Sequence, residues 1–438
     1  MTRPSGGQSA KYLFLGATLF LVLVGLLMIY SASSVADYVH YTDSAYHLKK
    51  QLLFIVVGAL ALFGASRVDI RFGCKNGGFL QDPKVIGWAI WGVSFLGLLG
   101  VLAFGIGKWG AQRWVVVAGV PLQPSELAKL GCVLMTVLYL SMWQRRQIDS
   151  RQLLGRLLLV LLPVVTLIML QPDMGTTMSI VFSIYLILWL ADVSGPLLGA
   201  MAVSGTAVAA LLVWVESYRL ERYLAFLNPW KDPLGDGFQI IQSIYSFGSG
   251  SLTGVGLGLS RQKFFYLPAA HTDFIFAILG EELGLMGALA VVVAFGVLAY
   301  AGIRIALDAT NVYDRLLAGG LTAMIVTQAV MNMAAVTGLM PITGIPLPLV
   351  SYGGSSMIFT LACIGLVLGV ARRTNLSRAR VRAKSSASGA HSDESRDAVS
   401  TAAMSRGSNR AVSSERRRDS GPHLSGLDGG RPPRRKRA

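Results

Sequence analysis

"KYLFLGATLFLVLVGLLMIYSASS", residues 11–34, carries one charged side chain, Lys11, at its very start. About twenty apolar residues at a rise of about 1.5 Å each are enough to cross the ~30 Å hydrocarbon core of a bilayer. The run is too long for the core of a secretory signal and has no clear small-x-small cleavage context, so it reads as a first retained membrane helix. The pattern recurs at 50–66, 85–105, 124–143, 153–170, 176–192, 196–216, 273–302, 315–337 and 354–371. With 53% hydrophobic and 14% charged residues and a mean hydropathy of +0.55, the chain is not a soluble protein. The expected fold class is all-α: a polytopic integral membrane protein of ten transmembrane helices, with a large extracytoplasmic loop, 217–272, between helices 7 and 8.

Basic residues of short loops set the orientation. An even number of spans puts both termini on one side. That side owns Arg67, Arg71, Lys75 and Lys84, then Arg145, Arg146, Arg151 and Arg156, and then Arg304 and Arg315. Both termini, including residues 1–11, are therefore expected in the cytoplasm of a bacterium-like topology, with 12–371 as the membrane domain. From Arg372 onward 17 Lys/Arg face 6 Asp/Glu, within a net charge of +16 for the chain. Such a Ser-, Arg- and Gly-rich tail buries no core and reads as disordered. It suits anionic lipid or an acidic cytoplasmic partner; nucleic acid is not expected, because no folded reader accompanies the charge. Cys74, Cys132 and Cys363 have no metal-ligand spacing and receive no role.

Polar sequence collects on the opposite, outer face. Loop 106–123 holds "GAQRWV"; a short turn holds "QPDMGT" (171–176); the long connection holds "NPWKDPLGDGFQIIQS" and "GVGLGLS"; and "TGLMPITGIPLPLVSYGGSS" spans 337–356. Gly254, Gly256 and Gly258 lack a preceding strand and a Lys-Ser/Thr ending, so they read as tight bends or lipid-headgroup contacts, not as a nucleotide cradle. Residues 238–247 place apolar side chains on one helical face, suiting a helix that lies in the interface. Lys231, Arg261 and Lys263 flank it and would either meet lipid phosphates or hold a substrate pyrophosphate. Arg113 carries the same two readings.

"YLPAAHTDFIFAILGEELG", 266–284, runs from a polar cluster into an apolar segment. Ionisable groups at the edge of lipid are functional candidates. For a helix starting near Asp273, the residues Ala277, Gly280, Gly284 and Gly287 form a small-residue stripe in the Asp273 direction, pointing that carboxylate into the bundle. Spacing by itself favours Thr272 or Asp273 as a helix cap over chemistry. Glu281 and Glu282 read as structural. Glu126, three residues before Lys129, reads as a local ion pair, and Asp173 as a cap.

Taken in order, "GAQRWV", "QPSELAK", "QPDMGTT", "NPWKDPLGDGFQIIQS", "QKFFYLPAAHTDFIFAILGEELG" and "TGLMPITGIPLPLVSYGGSS" resemble the SEDS family of bacterial wall synthesis (shape, elongation, division and sporulation), nearest its division branch, over residues 12–373. The resemblance implies a peptidoglycan glycosyltransferase that polymerises lipid II on the outer leaflet during cell division. Its essential aspartate falls on Asp273, which reverses the preference for capping. Arg113, Lys263 and Arg261 are candidates for the pyrophosphate, and His271, Glu126, Gln242 and Ser351 complete the substrate-binding set. Ala269 stands where family members often carry Glu, and Leu349 where Phe is common. Implied ligands and partners are lipid II, the undecaprenyl-pyrophosphate-linked glycan, a class B penicillin-binding protein and other division proteins. No cofactor is expected with certainty; a divalent cation is a candidate. A lipid II flippase and a non-catalytic divisome scaffold are the rival readings. Carriers tend to place polar sites at mid-membrane on broken helices, unlike this one-sided pattern.

Overall fold

A computed structural model describes residues 6–70, 81–108, 111–117, 120–215 and 217–379. Their order is α1 (Gly6–Tyr41), α2 (Tyr46–Arg67), α3 (Pro83–Phe104), β1 (Ile106–Lys108), β2 (Ala111–Val117), β3 (Val120–Leu122), α4 (Pro124–Gln144), α5 (Ser150–Leu170) and α6 (Met174–Leu190). There follow α7 (Gly195–Val215), α8 (Ser217–Leu227), α9 (Phe238–Gly250), α10 (Ile275–Asp308), α11 (Val312–Val336) and α12 (Gly354–Ala379). Eight of these helices are long and apolar enough to cross a membrane, against the ten spans expected; the 17-residue α6 is a shorter apolar helix, and the 21-residue α7 covers the seventh expected span. The compact unit covers Met1–Leu376. The basic tail beyond residue 379 and Cys74 lie outside the described residues.

Helix starts follow local chemistry. Pro124 opens α4 where its missing N–H costs nothing. Asp149 caps α5 through the Gln152 amide (2.7 Å), Asp173 caps α6 through Thr176 (3.2 Å), and Asn311 caps α11 through Asp314 (2.8 Å).

Packing inverts the soluble rule. Helix α4 has a mean hydropathy of only 1.3 yet 89% of its spanning window is buried, whereas α5 reaches 2.6 with 28% buried. Lipid accepts apolar surface on the outside, so the more polar helices gather within, where Glu126, Lys129, Gln328 and Asn332 find partners. Near the last turns of α12, Arg372 donates to Asp69 (3.0 Å) and Arg373 to Asp314 (2.5 Å), tying α12 to the exit of α2 and the start of α11.

Two details depart from expectation. The fold is the all-α membrane bundle expected, but the segment read as loop 106–123 carries a small antiparallel meander, β1–β2–β3. Its β-branched run, Val115-Val116-Val117, was the available signal. The single helix expected from Asp273 onward also fails at both ends of the stripe. Helix α10 begins at Ile275, and Gly284 breaks it with φ 66° and ψ −167°, a region open essentially to glycine alone. Gly280 still packs on Phe247 of α9, whereas a Cβ on Gly287 would first meet Leu283 of its own helix.

Four backbone groups at the break find partners outside the helix. Residues 251–256 lie against it and supply the missing partners. Val255 N donates to the Glu281 carbonyl (3.0 Å) and Gly256 N to that of Glu282 (3.1 Å), while the amides of Leu285 and Met286 donate to Ser251 (2.9 Å) and Leu252 (3.2 Å). Non-helical backbone survives at membrane depth only where protein satisfies it in this way. The glycines of "GVGLGLS" thus bend the chain, with φ between 78° and 108°, and a side chain on Gly254 would strike the backbone at Glu282. Gly284→Ala is expected to destabilise by about 1–3 kcal/mol from backbone strain. A lower thermal midpoint in detergent, with Gly296→Ala (open space around it) unchanged, is the readout.

Candidate active site

Asp273 sits at the end of the segment that enters α10, half-buried, one residue before the cap position. Phe274 holds that position, and its own side chain offers no cap hydrogen bond. What holds the segment is a clamp on its backbone. The carbonyl of His271 accepts from the Tyr352 amide (3.0 Å), that of Thr272 from Ser351 Oγ (2.6 Å), and that of Asp273 from Asn332 Nδ2 (2.8 Å). Three consecutive carbonyls are thus gripped by α11 and by the 337–353 loop. Ser351 Oγ also accepts from the Leu347 amide (2.8 Å), and Asn332 also donates to the Ile345 carbonyl (2.7 Å), so the loop is itself fastened to the same helix.

The carboxylate faces that loop. Gly344 has φ 67°, and a Cβ there would lie 3.7 Å from Asp273 Oδ2. On its other flank the loop meets α6, where a side chain on Gly175 would strike the Thr343 carbonyl. The QPD turn before α6 in turn receives the meander. Arg113 of β2 donates to the Gln171 (3.4 Å) and Pro172 carbonyls and lies 3.9 Å from the buried Asp173 carboxylate. The four loop blocks singled out in the sequence therefore converge at one end of the bundle.

Other expected site residues separate by depth. Glu126 is buried and bound by Lys129 (2.8 Å), as the spacing indicated; Lys129 also reaches Gln328 (2.5 Å), which donates to the Pro346 carbonyl (3.0 Å). Glu126, Lys129, Gln328, Thr360 and Cys363 line a cavity of about 10 Å³, room for one water. Lys263, expected to reach outward for a pyrophosphate, is instead buried, donating to the Gly258 carbonyl (2.5 Å) and lying 3.5 Å from Glu282. The cause is the loop that packs on the α10 break: Glu282 also accepts from Ser31 (2.6 Å), and Glu281 from Ser260 Oγ (2.5 Å) and the Arg261 amide (2.9 Å). The Arg261 side chain itself is exposed. Gln242 is half-buried on α9, whose Ser243 fastens that helix to the Val336 carbonyl (2.6 Å). Among the described residues no group of three or more His, Cys, Asp or Glu is arranged to hold a metal ion.

Several residues at this end were not singled out from sequence. Gln328 and Asn332 stand four apart on α11, one helical face, and polar residues at that spacing in an apolar run were the signal. Asp37 and His47, on α1 and α2, gave none: they come together only in the fold, and with them Tyr352 and His271. Burial, with Tyr46, Tyr41 and Asp37 adding, pushes the Tyr352 phenol up to about 12, so it stays protonated at neutral pH.

Comparison with known proteins agrees with this geometry. The family model described as "Cell cycle protein", which covers FtsW, RodA and SpoVE, matches residues 11–376. Stage V sporulation protein E of Bacillus subtilis (strain 168) is 40% identical over 363 residues, covering 81% of this chain and 95% of its own. A probable peptidoglycan glycosyltransferase FtsW of Trichlorobacter lovleyi is 38% identical over 371 residues, covering 81% and 91%. Among solved structures, a chain of a peptidoglycan synthase complex that coordinates polymerization and crosslinking superposes with a TM-score of 0.65 at 32% identity, covering 82% and 97%. The rod shape determining protein RodA of Thermus thermophilus gives 0.59 at 28%, covering 82% and 95%. A related structure of that protein carries an aspartate-to-alanine substitution. The chain belongs to the FtsW/RodA/SpoVE family, the SEDS proteins, and is an integral protein of the bacterial plasma membrane.

Proposed function

We propose that this chain polymerises lipid II into β-1,4 glycan strands at the outer face of the plasma membrane, with Asp273 as general base. The observation that carries the reading is a half-buried carboxylate on a segment whose last three carbonyls are all clamped, beside a Cβ-free Gly344. The growing strand, on its undecaprenyl pyrophosphate, is the donor. The 4-hydroxyl of an incoming lipid II attacks the anomeric carbon, its proton passes to Asp273, and the pyrophosphate leaves with inversion. A sugar hydroxyl is a weak nucleophile at neutral pH, and a positioned base typically contributes ~10²–10⁴-fold. The leaving group needs cations: the exposed Arg261 and the loop-borne Arg113 are the candidates, while Lys263 is engaged internally. Any divalent cation would arrive on the pyrophosphate oxygens. The names of the relatives support the activity, and the peptidoglycan synthase complex supports a class B penicillin-binding partner that cross-links the product. A septal place, cytoplasmic termini and an acidic or anionic-lipid target for the basic tail belong to the same reading.

One feature favours the carrier alternative, the break in α10 at Gly284 beside two buried carboxylates. Against it, the carbonyls of Glu281 and Glu282 and the amides of Leu285 and Met286 at the break are all bound by residues 251–256.

With the purified protein, its penicillin-binding partner and lipid II in detergent, polymer should form, because transport has no meaning without sealed compartments. Asp273→Asn should lower turnover at least ~100-fold; undiminished polymer would remove the mechanism. Asn332→Leu leaves the Asp273 and Ile345 carbonyls without their donor. It should cost ~1–3 kcal/mol of stability and most of the activity, read by melting and by the same assay. Deleting residues 385–438 should leave polymerisation intact and weaken septal placement, scored by fluorescence microscopy of tagged protein.

A further inference from the structure

We infer that Asp37 and His47 form a positioning pair for the segment that carries Asp273, acting through His271 and Tyr352. The inference rests on the reading of Asp273 as the base and adds two residues from the first two helices to its support.

Asp37 lies near the end of α1, where the helix runs seven residues beyond the apolar stretch 11–34, and its side chain is fully buried. A carboxylate so placed is costly unless donors surround it. Three do: Ser33 Oγ (2.8 Å) and the His47 amide (3.0 Å) on Oδ2, and the His47 ring through Nδ1 on Oδ1. The last contact fixes the imidazole. With Nδ1–H given to Asp37, the tautomer and the ring plane are set, and Nε2 points away from the carboxylate.

The ring held in this way is wedged against the clamp. Its centroid lies 4.7 Å from that of His271, tilted by 44°, and 4.6 Å from that of Tyr352, nearly perpendicular at 87°. The His271 and Tyr352 rings lie 5.8 Å apart. These are the two residues whose backbones meet in the first of the three carbonyl bonds, Tyr352 N to His271 O. Asp273 follows His271 by two residues. The imidazole therefore props both segments of the clamp, and Asp37 props the imidazole. Neither residue is placed on the reacting atoms; both are positioning residues. A shift of about 1 Å at a reacting group costs on the order of 10²-fold, so a loosened prop should appear in turnover.

The test uses the full chain with its penicillin-binding partner and lipid II. His47→Phe keeps a ring of similar size and removes both nitrogens; Asp37→Asn keeps the shape and removes the charge and one acceptor. Each should lower kcat ~10–100-fold with KM nearly unchanged, while His47→Asn, whose amide can still donate to Asp37, should recover part of the loss. Amide exchange over 268–276, followed by mass spectrometry, should accelerate in His47→Phe and Asp37→Asn but not over 124–144. Should Asp37→Asn fail to fold, His47→Phe alone carries the test. Unaltered exchange over 268–276, or wild-type kcat in His47→Phe together with unaltered exchange, overturns the inference. Accelerated exchange with undiminished turnover upholds the positioning and removes the reading of Asp273 as base, so the two failures are distinguishable.

Discussion

Hydrogen bonding to three successive carbonyls, 271 to 273, is the constraint on which the rest of this end of the molecule depends. An unregulated loop at the edge of lipid would carry unsatisfied backbone groups, each expensive where water is scarce. Here the partners come from two different places, the side chain of Asn332 on α11 and the Ser351–Tyr352 step before α12. The Asp273 carboxylate thus projects from a backbone that two elements hold at once. A base must be held in place before it can act, and fixed polar geometry is what such a site supplies in advance of reaction.

The same economy governs the break in α10. Breaking a membrane helix frees donors and acceptors that lipid cannot satisfy, and residues 251–256 meet them through their own backbone. Placing that loop there has a consequence one layer out. It draws Ser260 and the Arg261 amide onto Glu281 and Lys263 onto Glu282, where Ser31 of α1 also donates, which turns a basic residue that looks like a ligand for phosphate into an internal cation. Burying one charge without the other would leave the survivor uncompensated, so Lys263 and Glu282 stand or fall together.

Much of the site was legible because its residues are sequence neighbours or sit at helical spacing. Asp173 as a cap, the Glu126–Lys129 pair and the backbone role of the 254–258 glycines follow from local rules that do not need the rest of the chain. The start of α10 was misplaced by two residues because a polar Thr-Asp step looks like a cap, yet tertiary bonds to its carbonyls hold it outside the helix. The meander of 106–122 was read as loop although Val115–Val117 is β-branched, since strands of three to seven residues carry little signal beside spans of twenty.

By itself the sequence determined that the chain is a polytopic helical membrane protein, where most of the spans fall, and which aspartate stands at the head of the conspicuous block. Apolar length and local spacing suffice for these, because lipid imposes a fixed thickness and closed backbone bonding on each helix separately. Only the tertiary structure decided that Asn332, Ser351 and Tyr352 grip the Asp273 segment, that Asp37 and His47 stand behind it, and that Lys263 turns inward. Those pairings join residues tens to hundreds of positions apart. Their partners are selected by which polar groups the packed helices leave without water, a property of the assembled bundle and not of any one segment.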